Sequence, residues 1–93
     1  MALIGEGVLG PGGEGYFDVV LTGGVPHTVY VHPSEPGVDF DLFVYDENGI
    51  LVTDDISDAT DAFCIVTPRW TGPFRLVVKA ARGLSTFRIV VEA

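Results

Sequence analysis

Ninety-three residues, 47% of them hydrophobic, suit one domain with one two-layer core and weigh against disorder. Thirteen acids against five bases give a formal charge of −8. That balance disfavours nucleic acid, whose binding needs cations to displace phosphate counterions. No run reaches the ~18 uninterrupted apolar residues of a membrane helix, so no membrane partner is expected.

The chain opens on Met1 to Gly15, which holds six of the twelve glycines, no basic residue and no continuous apolar stretch. It reads as a flexible arm over 1–14 leading into a domain over 15–93, and not as a secretory signal. On that reading the chain is either cytosolic or cut from a longer secreted precursor.

From there the apolar period is two, punctuated by Gly, Pro, Asn and Asp. Tyr16 to Leu21 places Phe17, Val19 and Leu21 on one side. Thr22 to Pro26 is a turn, and Thr28 to His32 aligns Val29 with Val31. Val38 to Tyr45 puts Phe40, Leu42 and Val44 on one face and Asp39, Asp41, Phe43 and Tyr45 on the other. Asp46-Glu47-Asn48-Gly49 suits a type I turn, with Asp46 capping it and Gly49 as the left-handed bulge residue.

Ile50 to Thr53 returns as a short strand, followed by an acidic loop from Asp54 to Thr60. Asp61 to Thr67 is a fifth strand, with Phe63 and Ile65 sharing a face. Pro68 to Pro73 is a turn region in which Trp70 is expected to pack over one end of the core, stacking on a ligand being its alternative. Phe74 to Ala80 and Thr86 to Glu92 alternate cleanly, with Phe74, Leu76, Val78 and Phe87, Ile89, Val91 inward. Seven short strands about ten residues apart imply an all-β, antiparallel two-sheet sandwich or jelly roll.

At this point the residues resemble a family. Gly13, Tyr16, Phe17, Val19 and Leu21, then Val38-Asp39-Phe40-Asp41-Leu42-Phe43-Val44-Tyr45-Asp46 with Asn48-Gly49, then Thr71-Gly72-Pro73-Phe74-Arg75-Leu76, resemble the bacterial pre-peptidase C-terminal domain. The resemblance spans roughly residues 13 to 92. It implies a small non-catalytic β-sandwich of the kind appended to secreted peptidases, similar to the collagen-binding modules of bacterial collagenases. It also implies an extracellular setting, and some relatives bind calcium.

Charge distribution bears on the same point. All five bases (Arg69, Arg75, Lys79, Arg82, Arg88) follow position 68, whereas residues 39–61 hold eight acids and no base. Such acids are solvated, paired with the basic C-terminal strands, or matched by a cation. Asp39 and Asp41 share a strand face, and Asp54 and Asp55 return toward the same end of the sheet. These four are the candidate calcium ligands, since that ion takes six to eight oxygens, several from carboxylates. The competing expectation is that Asp41 pairs with Arg75, Lys79 or Arg88 and that Asp54 to Asp58 cap a turn. An EF-hand is excluded by the absence of its mid-loop glycine and terminal glutamate at the required spacing.

Other chemistry is poorly supported. His27 and His32 are five apart and so face opposite sides of one strand, which prevents shared zinc ligation. There is no Gly-x-Ser-x-Gly elbow, and the glycine-rich start lacks the Gly-Lys-Ser/Thr ending of a phosphate loop. Cys64, the lone cysteine, reads as a small buried hydrophobe. Phe43 and Tyr45 are the candidate ligand surface, because flat rings give large contact area at small entropic cost; packing into the core is their competing fate. The expected function is a non-enzymatic module recognising a protein, polysaccharide or collagen-like polymer. A structural or self-assembling β-module (a homo-oligomer) and a small cytosolic regulator of a partner enzyme such as a peptidase are the alternatives.

Overall fold

The computed structural model describes residues 2–93. Eight strands run in chain order: β1 (Ala2–Leu9), β2 (Glu14–Leu21), β3 (His27–Pro33), β4 (Asp39–Tyr45), β5 (Leu51–Asp55), β6 (Ala62–Val66), β7 (Gly72–Arg82) and β8 (Ser85–Glu92). They form two antiparallel sheets of four, ordered β1-β8-β3-β6 and β2-β7-β4-β5. The architecture is the all-β sandwich that period-two alternation predicts.

The inward faces follow the alternation. Val29, Val31, Phe87 and Ile89 from one sheet meet Phe40, Leu42, Val44, Leu76 and Val78 from the other, and all are buried. Edge-on aromatic contacts join the layers: the Phe87 ring lies 5.7 Å from that of Phe40 and 6.0 Å from that of Phe17. In β6 the inward positions are Ala62, Cys64 and Val66, so Phe63 and Ile65 share the outward face and are exposed. His27 is buried at the mouth of the β2–β3 turn, its Nε2 3.1 Å from the backbone of Thr22. His32 faces out, stacked on Tyr30, with Nδ1 3.2 Å from Asp61. The two histidines therefore do not meet.

The glycine-rich start differs from expectation. Rather than a flexible arm over 1–14, residues 2–9 form β1, paired along its length with β8 and carrying a register shift between Leu3 and Gly5. The structure thus has eight strands where seven were expected. The glycines answer to packing: a Cβ on Gly5 would run into the Phe17 ring, and one on Gly7 would meet Phe87 at 3.1 Å. Small residues let two aromatic rings lie against the backbone of this edge strand.

The turn after β4 is built as its sequence requires. Asp46 Oδ1 accepts hydrogen bonds from the backbone N–H of Asn48 (2.9 Å) and Ile50 (3.0 Å). Gly49 has φ 76° and donates to Asp46 O at 3.0 Å. Beyond the turn, a register shift between Val44 and Tyr45 leaves Val52 as the extra residue on β5.

Candidate functional site

Asp39 and Asp41 lie at the head of β4, on the centre of the sheet β2-β7-β4-β5. Asp39 is only 8% exposed and Asp41 is half-buried. The ladder to β7 shifts register here, the partner jumping from Arg82 for Asp39 to Ala80 for Phe40, which leaves Ala81 as the extra residue on β7. One buried oxygen of each carboxylate, Oδ1 in both cases, has no hydrogen-bond partner. Buried carboxylate oxygens are rarely left this way, because their desolvation costs free energy that nothing returns.

The electrostatics agree. The Asp41 carboxyl is pushed up to about 6, first by burial, then by the negative charges of Asp39 and Asp55; Lys79 opposes the rise. The expected pairing with a basic residue does not form, since the ion pairs of the described residues are Arg75–Asp18 and His32–Asp61.

The other two candidate ligands behave differently. Asp55 stands opposite Leu42 on β5, near enough to act on Asp41. Its oxygens are already engaged: Oδ1 accepts from Ser57 N at 3.0 Å and Oδ2 from Phe63 N at 2.9 Å. Burial works against its charge, but those N–H groups outweigh it and hold the carboxyl below the usual range. Asp55 thus fastens the β5–β6 connection. Asp54 is exposed, opposite Phe43. Among the described residues no three His, Cys, Asp or Glu side chains are gathered closely enough to hold a metal ion. The pair Asp39–Asp41 offers the donor chemistry of part of a calcium shell, hard oxygens with unused lone pairs, and the remaining oxygens would be backbone or water.

Phe43 and Tyr45 continue along the same outward face of β4, both half-buried. Across the sheet, Phe43 neighbours Val77, and Val77 neighbours Tyr16, which is 60% exposed. The row Tyr16–Val77–Phe43 gives an aromatic ring on each side of a low aliphatic floor. An open groove of about 690 Å³ runs between Tyr16 and Tyr45, with Val77, Arg75, Glu14 and Glu47 in its lining. Arg75 is fixed there by two bonds to Asp18, Nε–Oδ1 at 2.9 Å and Nη2–Oδ2 at 3.3 Å, with its guanidinium 5.9 Å from the Tyr16 ring centre. The same bonds hold the Asp18 carboxyl low. Tyr16 was not among the expected surface residues. Its signal is parity: it directly precedes Phe17, so a core Phe17 forces Tyr16 outward.

No family model matches the sequence, and no curated protein does. The chain is similar in fold to the pre-peptidase C-terminal domain of a collagenase from Bacillus anthracis, with a TM-score of 0.69 over 97% of this chain and 90% of that one, at 13% identity. The eight-strand, two-sheet sandwich described above is the fold of that domain.

Proposed function

We propose that this chain is a non-catalytic accessory module that recognises an extended polymer, of the collagen or another protein kind, through the outward face of β2-β7-β4-β5. The observation that carries the reading is the groove between Tyr16 and Tyr45, floored by Val77 and set on a rigid sheet. Aromatic-lined grooves suit extended, proline-rich chains, whose preformed conformation loses little entropy on docking. Likeness in fold to a collagenase domain supports the same class of role. The test is co-sedimentation with fibrillar collagen and with an insoluble polysaccharide as comparison. Retention on collagen that Tyr16→Ala with Tyr45→Ala removes supports the reading; equal retention of that double variant refutes it.

Calcium at the Asp39–Asp41 end belongs to this proposal as a stabiliser of the module. The support is the pair of unpartnered buried oxygens.

A second reading, self-assembly, has one specific observation in its favour. Phe63 and Ile65 are 54% and 59% exposed on the edge strand β6, beside Tyr30, whose ring centre is 6.2 Å from that of Phe63. Exposed apolar edges invite pairing with another chain. Light scattering on the eluting protein gives the mass: a dimer that Phe63→Lys converts to monomer supports this reading, and a monomer at all concentrations removes it.

A further inference from the structure

A second concavity lies at the end of the sandwich, away from the Asp39–Asp41 pair, between the β4–β5 turn and the β6–β7 connection. It encloses about 380 Å³. Trp70, the chain's one tryptophan, stands in its wall with 66% of its surface exposed, contrary to the expectation that it packs over the end of the core. Val52, Ile65 and Phe74 supply an apolar lining, and Glu47, Asn48 and Arg69 a polar one.

Both walls are held rigidly. The loop carrying Trp70 is tied to the β2–β3 turn by Gly24 N to Pro68 O (2.7 Å) and Gly23 N to Thr71 Oγ1 (2.9 Å). Gly23 is pressed against the backbone of Trp70 so tightly that a Cβ there would collide with it. On the opposite wall, the Asp46 cap fixes the backbone under Glu47 and Asn48. An exposed indole on a backbone-clamped loop is a contact surface whose ordering cost has already been met in folding.

The polar wall selects the ligand. Arg69 disfavours a cation, and Glu47 with Asp46 disfavours an anion, while a purely apolar guest would use none of the hydrogen-bonding groups of this wall. A neutral molecule with an apolar face and many hydroxyls satisfies all of them. We infer that this end pocket is a saccharide-binding site, in which the Trp70 indole takes the C–H face of a sugar ring and Glu47, Asn48 and Arg69 exchange hydrogen bonds with its hydroxyls. The volume lies within the ~300–1,000 Å³ range of small-molecule pockets, at the end suited to one or two sugar rings. The pocket adjoins the groove of the proposed function, sharing Asp46, Glu47, Pro73 and Phe74 with it, but Trp70 and Arg69 line this pocket alone.

The single tryptophan makes the test direct, because all tryptophan emission reports this pocket. The intact domain is titrated with cellotriose, chitotriose and maltotriose, and with capped Gly-Lys-Gly and Gly-Glu-Gly peptides. A saturable change in emission with at least one of the three sugars and with neither peptide is the expected result. Binding of that sugar, followed by ligand-observed NMR, is lost in Trp70→Ala and weakened roughly two- to fivefold in Glu47→Gln, the scale of one exposed polar contact. Glu6→Ala, exposed on β1 and in the lining of neither concavity, leaves it unchanged. The inference is overturned if no sugar changes the emission, if only a peptide does, or if Trp70→Ala binds the sugar as well as the parent chain.

Discussion

Asp41 stands directly opposite Lys79 in the β4–β7 ladder, yet the two do not pair: the buried Oδ1 of Asp41 has no partner, and the carboxylates of Asp39 and Asp55 outweigh the lysine. A carboxyl raised to about 6 in the folded chain, from 3.8 when free, holds its proton more tightly folded than unfolded. Its contribution to stability is therefore fully present below pH 4 and is lost as pH rises through 6. Asp18 and Asp55, both lowered, act in the opposite sense and lose their contribution as pH falls below the ordinary carboxylate range. The Asp41→Asn variant is thus expected to be more stable than the parent at pH 7, by ~1–2 kcal/mol after allowing for solvent screening, and indistinguishable from it near pH 4. Chemical denaturation at the two pH values checks this. A variant that is less stable at pH 7 would place Asp41 in a favourable contact that the structure does not contain.

A calcium ion bound to this pair would change the sign of that effect. If a divalent ion is held by the Asp39–Asp41 oxygens, the parent chain gains ~2.7 kcal/mol at a hundredfold excess of ion over Kd, enough to raise the melting midpoint by several degrees. Thermal melts in EDTA, calcium and magnesium measure it. The shift is expected with calcium and absent from Asp39→Asn with Asp41→Asn. Asp55→Asn is expected to lower the midpoint in EDTA, because it weakens the bonds from Ser57 and Phe63, while leaving the calcium increment intact. Equal midpoints in EDTA and calcium for the parent would dismiss the ion.

These two sets of carboxylates show where the sequence is legible and where it is not. That Asp39 and Asp41 share a face follows from strand parity alone, as do the outward Phe43 and Tyr45 and the inward Phe40, Leu42 and Val44. The Asp46–Gly49 turn was equally legible, since its hydrogen bonds are local to the four residues and their neighbour Ile50. The burial of Asp39 arises where it meets β7, some forty residues along the chain, and the commitment of Asp55 depends on an N–H eight residues away. Neither relation has a local signature. The β1 strand was missed for a related reason: glycine marks both loops and strands against which a ring is packed, and only the position of Phe17 tells them apart.

The packing account of β1 has a direct consequence. Adding one methyl at Gly5 forces the Phe17 ring to move, and with it the contact between Phe17 and Phe87 that joins the two sheets. Overpacking of this kind costs about 1–3 kcal/mol, so Gly5→Ala is expected to lower stability by that amount. Gly12→Ala is no equivalent control because of its φ of 82°, whereas Glu6→Ala, exposed on the same strand, is expected to be nearly neutral. Hydrogen exchange locates the effect: increased exchange in β1 and β8 is expected from Gly5→Ala, and a uniform loss across both sheets would contradict it.

Cys64 gives the last prediction. Its thiol is 3% exposed between Ala62 and Val66 on the inward face of β6, and it is pushed up to about 11, mainly by burial, with the negative charges of Asp55 and Asp54 adding to the rise. Thiolate is the reactive form, so at pH 8 the folded chain holds very little of it and shields what it holds. Modification by a disulfide reagent is expected to be slow in the folded protein, to accelerate by orders of magnitude in denaturant, and to follow the unfolded population in between. Cys64→Ala is expected to cost about 1 kcal/mol, the scale of a small buried side chain shortened by one atom. Rapid labelling under native conditions would show that β6 opens locally, and would make the edge carrying Phe63 and Ile65 the least stable part of the sandwich.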